Sequence, residues 1–146
     1  MTMTKANTDL RLSTDRMINA SPEKVFNAWL NPELLARFMR PGPDMSVPSA
    51  KTDAREGGAF EIIMRVGEND LQHAGIYREI SPHSRIVFTW ESAFSPAESE
   101  VTLDLKPQGD GTHITLTHVT FYDEEKRDNH LGGWARILET LAAELA

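Results

Sequence analysis

The sequence predicts an α+β fold: a curved antiparallel sheet of six to seven strands wrapped around a long C-terminal helix, with two short helices after the first strand. Three observations predict it. Residues Asp123–Ala146 form the longest uninterrupted helical pattern, with Leu131, Trp134, Leu138, Leu141 and Leu145 recurring at three- and four-residue steps. Between about residue 45 and residue 122 the apolar period is two, broken only by short turn sequences. Ahead of that run, two helix-start signals stand back to back at Ser21-Pro22-Glu23 and Asn31-Pro32-Glu33.

In chain order, Leu10, Leu12 and Thr14 alternate with Arg11, Ser13 and Asp15, so a first strand is expected over residues 9–19. Residues 1–8 are polar and expected to be disordered or frayed, leaving one domain over 9–146. The first helix carries Val25, Phe26, Trp29 and Leu30. The second carries Leu34, Leu35 and Phe38 and stops before Pro41-Gly42-Pro43. Strands are expected over Val47–Arg55, Ala59–Val66 and Leu71–Ile80, joined by Gly57-Gly58 and by a hairpin at Gly67–Asp70. Arg85–Glu91 is the most β-prone run, and Ser92–Ser99 is a longer loop. Val101–Leu105 and His113–Tyr122 complete the sheet around a Gln108–Gly111 turn. Connections this short place sequential strands side by side and antiparallel. Asp123 is placed to cap the terminal helix, with Glu124 and Glu125 suiting the positive end of its dipole.

With 146 residues the chain is long enough to bury roughly 70% of its unfolded surface in one core. A net charge of −7 and no run of Lys or Arg argue against a nucleic-acid footprint. The absence of cysteine excludes disulfides, thiolate metal sites and cysteine nucleophiles. No apolar run approaches a membrane span and no secretory core follows Met1, so a cytoplasmic protein is expected. Gly57-Gly58 lacks the order of a phosphate cradle, and the serines lie in loops without a nucleophile-elbow sequence. No cofactor motif is present, and a homodimer stays open.

Strand alternation places Phe60, Ile62, Met64, Phe88, Trp90, Val101, Leu103, Leu105, Ile114, Leu116 and His118 on the concave face. Tyr77 and Glu79 share parity with Gly75, while Ile76 and Ile80 occupy the opposite set; a bulge would reconcile them. For His118 two readings stand: a polar anchor or general base, or a core histidine bonded to a neighbour. Glu79 turned inward would need Arg78, His73 or a ligand as partner; turned outward it is a solvated strand glutamate. His73 and His118 lack a ligand-spaced third residue, so no metal is expected. Trp29, Trp90 and Trp134 read as core packing before a stacking site. Gly132-Gly133 marks either a close helix–sheet approach or a helix that begins nearer His130.

Several stretches together resemble one family. Residues 16–32 (RMINASPEKVFNAWLNP), Arg55–Phe60 (REGGAF), Gly75–Pro82 (GIYREISP), Arg85–Trp90 (RIVFTW), Thr115–His118 (TLTH) and Gly133-Trp134-x-x-x-Leu138 occur in the order of the domain shared with activators of the heat-shock-protein-90 ATPase. That family is a branch of the START/SRPBCC superfamily, whose fold is the helix-grip. The resemblance covers residues 10–145 and departs from the family pattern at Phe38, where tryptophan is common. It implies a cavity between sheet and terminal helix for a small apolar or amphipathic molecule. The wall would draw on Trp29, Phe38, Phe60, Ile62, Met64, Tyr77, Glu79, Phe88, Trp90, Leu103, Leu116, His118, Trp134 and Leu138. Two alternatives accompany it: a polyketide-cyclase or hydrolase-like enzyme using His118 or Glu79 as acid/base, and a module that stimulates a chaperone ATPase.

Overall fold

The computed structural model describes residues 6–146. Its elements run β1 (Asn7–Ile18), α1 (Pro22–Leu30), α2 (Pro32–Phe38), β2 (Met45–Thr52), β3 (Ala59–Val66), β4 (Asn69–Ser81), β5 (Arg85–Thr89), β6 (Glu100–Gln108), β7 (Gly111–Phe121) and α3 (Glu124–Leu145). All pairings are antiparallel, and the seven strands stand in the order β1-β7-β6-β5-β4-β3-β2. Strands β2 to β7 form a meander, and β1 adds beside β7. The first two strands are therefore the two edges of the sheet. Helices α1 and α2 carry the chain from one edge to the other, which is why they come as a pair after β1.

Both helix starts form as the sequence predicts. Ser21 Oγ accepts from the Lys24 amide at 3.2 Å, and Asn31 Oδ1 accepts from Glu33 and Leu34 at 2.9 and 3.2 Å. Asp123 Oδ1 accepts from the Lys126 amide at 2.8 Å and so starts α3. Side-chain hydroxyls tie the ends of α1 to the sheet: Thr112 Oγ1 donates to the Ala20 carbonyl and Thr52 Oγ1 to the Leu30 carbonyl, at 2.7 and 2.9 Å.

Several boundaries differ from expectation. Asn7 and Thr8 belong to β1 rather than to a frayed end, Asn7 facing Phe121, while residues 1–5 of that expected tail lie outside the described residues. Strand β2 starts two residues earlier and stops at Thr52, because Asp53–Gly58 is held as a turn by backbone bonds onto Ala59, Arg55 and Tyr77. Strand β5 ends at Thr89; beyond it Trp90 bonds to Ser99 and Glu91 to Ala74. Helix α3 runs straight through Gly132-Gly133, so the later start is excluded.

The expected apolar stripe of α3 is rotated by part of a turn. Trp134, Ile137, Leu138, Leu141 and Leu145 are buried, whereas Leu131 is 38% exposed. Ile137 takes the place assigned to Leu131, because the helix sits over one side of the sheet. It runs closest to β1, with lesser contact to α2 and β7. That offset leaves room between the middle of α3 and the strands β3 and β4.

The concave face carries the residues that alternation assigned to it. Phe60, Ile62, Met64, Phe88, Trp90, Val101, Leu103, Leu105, Ile114, Leu116 and His118 are all buried. The ambiguous strand is resolved by a bulge: Tyr77 pairs with Phe88 but Glu79 pairs with Val87, leaving Arg78 as the extra residue. Before the bulge Tyr77 points in and Ile76 is exposed; after it Ile80, opposite Ile86, takes the inner side. Gly75 leaves no empty volume. A Cβ there would overlap the Thr89 carbonyl oxygen and come within 2.5 Å of the Phe60 ring, so the sheet closes on the missing side chain.

Candidate functional site

The interior has two unlike ends. Toward α1 and α2 it is packed solid. Trp29 meets Phe38 edge-on with centroids 5.0 Å apart, and Phe60 packs against Tyr77 and Phe88 at 5.3 and 5.4 Å. The gap remaining among Trp29, Leu35, Met39, Phe60, Ile62, Tyr77, Phe88 and Trp90 is only about 10 Å³. One water needs about that much; of the lining groups, the Trp29 indole N–H is buried without a partner among the described residues. Leu103, Leu116 and Leu138 are fully buried beyond it.

At the other end lies an open cavity of about 360 Å³. Met64 from β3, Leu71 and His73 from β4, and Trp90 after β5 form its sheet wall. Lys126, Asn129, His130, Gly133, Trp134 and Ile137 of α3 form the helix wall, and Pro41, Met45 and Phe94 close the rim. Trp90 and Trp134 make its floor, their rings 4.9 Å apart. The alanine-free face of the helix matters here: a Cβ at Gly133 would stand 3.1 Å from Pro41, so glycine lets the α2–β2 connection reach the cavity rim.

Two hydrogen-bonded groups, touching through the His118 and His130 rings, lie behind this wall. The Trp134 indole N–H donates to His118 Nδ1 at 3.0 Å. His118 must therefore be neutral and carry its proton on Nε2, which is buried without a partner among the described residues. The His118 ring lies 4.4 Å from Phe121 and 5.3 Å, edge-on, from His130. His130 Nδ1 donates to the Lys126 carbonyl at 2.6 Å, so its Nε2 accepts from the Ser95 hydroxyl at 2.6 Å. That contact fastens the loop between β5 and β6 to α3. Thr120, between Val119 and Phe121, has φ +74°, an unfavourable conformation for a β-branched residue, at the point where the β1 register shifts. The kink sets Phe121 against both histidines.

Burial dominates the electrostatics. Desolvation pushes His118 down to about 2, with His130 adding a smaller effect, and pushes His73 down to about 4. His130 is lowered too, by burial first and by the Lys126 charge in addition. Tyr77 is raised well above its ordinary range, chiefly by burial. At neutral pH the three histidines are therefore uncharged hydrogen-bonding groups. Among the described residues no three His, Cys, Asp or Glu side chains gather to hold a metal ion.

The sequence-predicted site residues thus divide four ways. Met64, Trp90 and Trp134 line the cavity. Trp29, Phe60, Ile62, Tyr77 and Phe88 surround the packed end, while Phe38, Leu103, Leu116, Leu138 and His118 are core. Glu79 is corrected: the bulge turns it to the other side of the sheet, where Ser81 Oγ donates to it at 2.7 Å. It cannot form an acid/base pair with His118. Sequence reasoning missed His130 and Ser95, which lie 35 positions apart with no motif between them. It also missed Lys126, Asn129 and Gly133 as wall residues. Their signal was one-turn spacing along α3 from Trp134 (positions 126, 129/130, 133, 137), visible only once the helix face was known.

The comparisons with known proteins agree with this architecture. The profile of the family described as "Activator of Hsp90 ATPase homolog 1-like protein" matches residues 19–146. Protein CV1439 from Chromobacterium violaceum is 27% identical with a TM-score of 0.82, the alignment covering 92% of this chain and 96% of that one. Mll3558 from Rhizobium loti is 29% identical with a TM-score of 0.78, over 93% and 96%. An AHSA1-like protein from Aeromonas hydrophila, 22% identical over 92% and 90% with a TM-score of 0.78, supports the fold. No curated protein matches the chain. With the helix-grip arrangement of sheet and terminal helix and a profile match over most of its length, the chain belongs to the family of Activator of Hsp90 ATPase homolog 1-like proteins.

Proposed function

We propose that this protein binds a small, mostly apolar molecule in the cavity between β3, β4 and the middle of α3. The observation that carries this is the contrast in packing: about 360 Å³ stays open at one end of a core that closes to about 10 Å³ at the other. Sites for small ligands fall in the range of roughly 300–1,000 Å³, with apolar walls and a few convergent polar groups. Here the walls are Met64, Leu71, Trp90, Trp134 and Ile137, and the polar groups are His73, Lys126, Asn129 and His130. Native mass spectrometry of protein purified from its own cells tests for a co-purifying molecule. In parallel, the neutral fluorophore N-phenyl-1-naphthylamine should bind the wild type and bind Leu71→Trp at least about tenfold more weakly. Unchanged binding in that variant, with no molecule carried along, overturns the proposal.

A second reading rests on the family match itself. The family's description names activation of the Hsp90 ATPase, and an exposed face of this chain could act on such a chaperone instead. An ATPase assay with the chaperone from the same cells separates the two: stimulation that survives Leu71→Trp would place the activity outside the cavity. For an enzyme of the cyclase or hydrolase type using His118 or Glu79 as acid/base, Glu79 lies on the other side of the sheet from the cavity.

A further inference from the structure

We infer that the molecule held in the cavity is a ring-containing organic anion, its acidic group facing Lys126 at the helix wall. The inference rests on the cavity reading above and adds a charge to it. Among the described residues Lys126 is the one formally charged residue lining the cavity at neutral pH; the other polar lining groups are Asn129 and two histidines. Both histidines are held neutral by burial. Among the described residues no ion pair engages Lys126, although its neighbours Arg127 and Asp128 pair with each other at 3.1 Å. Asp123, Glu124 and Glu125 of the same turn are exposed and do not line the cavity.

The position of Lys126 sharpens the point. It lies in the first turn of α3, the positive end of a 22-residue helix, so an anion held beside it would meet the helix dipole as well as the ammonium. The body of the ligand is argued from the floor. Trp90 and Trp134 stand 4.9 Å apart, His73 lies 5.0 Å from Trp90, and Phe94 at the rim is 40% exposed. With Trp90 and Trp134 each only 2% exposed, the accessible aromatic surface is that of Phe94, which rewards a flat or cyclic apolar body over a flexible chain. The whole-molecule field works the other way: a net charge of −7 repels anions at long range. Any preference for an anion must therefore come from the local cation.

The test compares two probes that share one body. 1-Anilinonaphthalene-8-sulfonate carries a sulfonate, and N-phenyl-1-naphthylamine lacks it. Wild-type protein should bind the sulfonate at least about fivefold more tightly, a margin consistent with one partly screened charge pair. Lys126→Met keeps the aliphatic stem and should abolish that preference; Lys126→Arg should keep it. Circular dichroism checks that α3 is intact in each variant. Binding of both probes with no preference, or a preference untouched by Lys126→Met, overturns the charge inference and leaves the cavity reading standing. Failure of both probes to bind, or binding unaffected by Leu71→Trp, overturns the cavity reading and this inference with it.

Discussion

The packed end and the open end of this core are built from the same kinds of residue, yet only one of them closes. Both use aromatic rings projecting from neighbouring strands at a two-residue period. At the packed end, α1 and α2 lie across the sheet and bring Trp29, Leu35, Phe38 and Met39 down onto Phe60 and Tyr77. At the open end the main cover is α3, which rides over β1, with Pro41, Met45 and Phe94 at the rim. The rings of Trp90 and Trp134 meet, but nothing fills the space above Met64 and Leu71. What decides between core and cavity is which element covers the face, not the composition of the face.

The contrast can be broken from either side. Phe60→Ala should cost ~3–5 kcal/mol, measured by chemical denaturation, because it opens a void among side chains with no room to relax. It should leave probe binding at the other end unchanged; a cost under about 1 kcal/mol would mean that the packed end is not packed.

Acid should act next most strongly. Above the ordinary imidazole pKa of about 6.5 neither the folded nor the unfolded state binds these protons, so His73 and His118 contribute no pH dependence there. Below it the unfolded chain takes up protons that the folded one refuses until about 4 for His73 and about 2 for His118. Stability therefore falls as pH drops below 6.5, by about 2 kcal/mol for each histidine between pH 7 and pH 5. In His118→Phe the pH 7-to-5 loss should shrink by about one such share; an unaltered pH dependence would show that His118 titrates freely.

Two smaller effects complete the series. Ser95→Ala removes the hydroxyl that ties the β5–β6 loop to His130 and should cost about 1 kcal/mol, with faster amide exchange over residues 92–99. Leu71→Ala, half-buried in the cavity's sheet wall, should cost less than about 1 kcal/mol yet change probe affinity. A large stability loss from Leu71 and none in binding would reverse the assignment of the two ends.

Much of the fold was legible because its signals are local. Ser21-Pro22-Glu23 and Asn31-Pro32-Glu33 start helices wherever they occur, since each supplies acceptors to free amides and a preset φ. Alternation from Phe60 to His118 named the concave face because side chains on a strand must alternate. The one strand it could not orient, β4, was the one with a bulge, and a single extra residue at Arg78 sends Glu79 to the far side. The site was less legible. Leu131 satisfies the heptad-like spacing as well as Ile137 does, so spacing alone could not set the rotation of α3.

Sequence alone determined the order of elements, the helix caps, the identity of the concave face and the family, because each rests on neighbours within a few residues or on motifs in chain order. Tertiary structure alone decided that α3 lies to one side of the sheet, and with it everything about the cavity. That offset exposes Leu131, buries Ile137, turns Lys126 and His130 into wall residues and joins His130 to Ser95 across 35 positions. A stripe of apolar residues requires that a helix be covered; where it comes to rest depends on the summed packing of β1, α2 and the strand bulges, which no local pattern encodes.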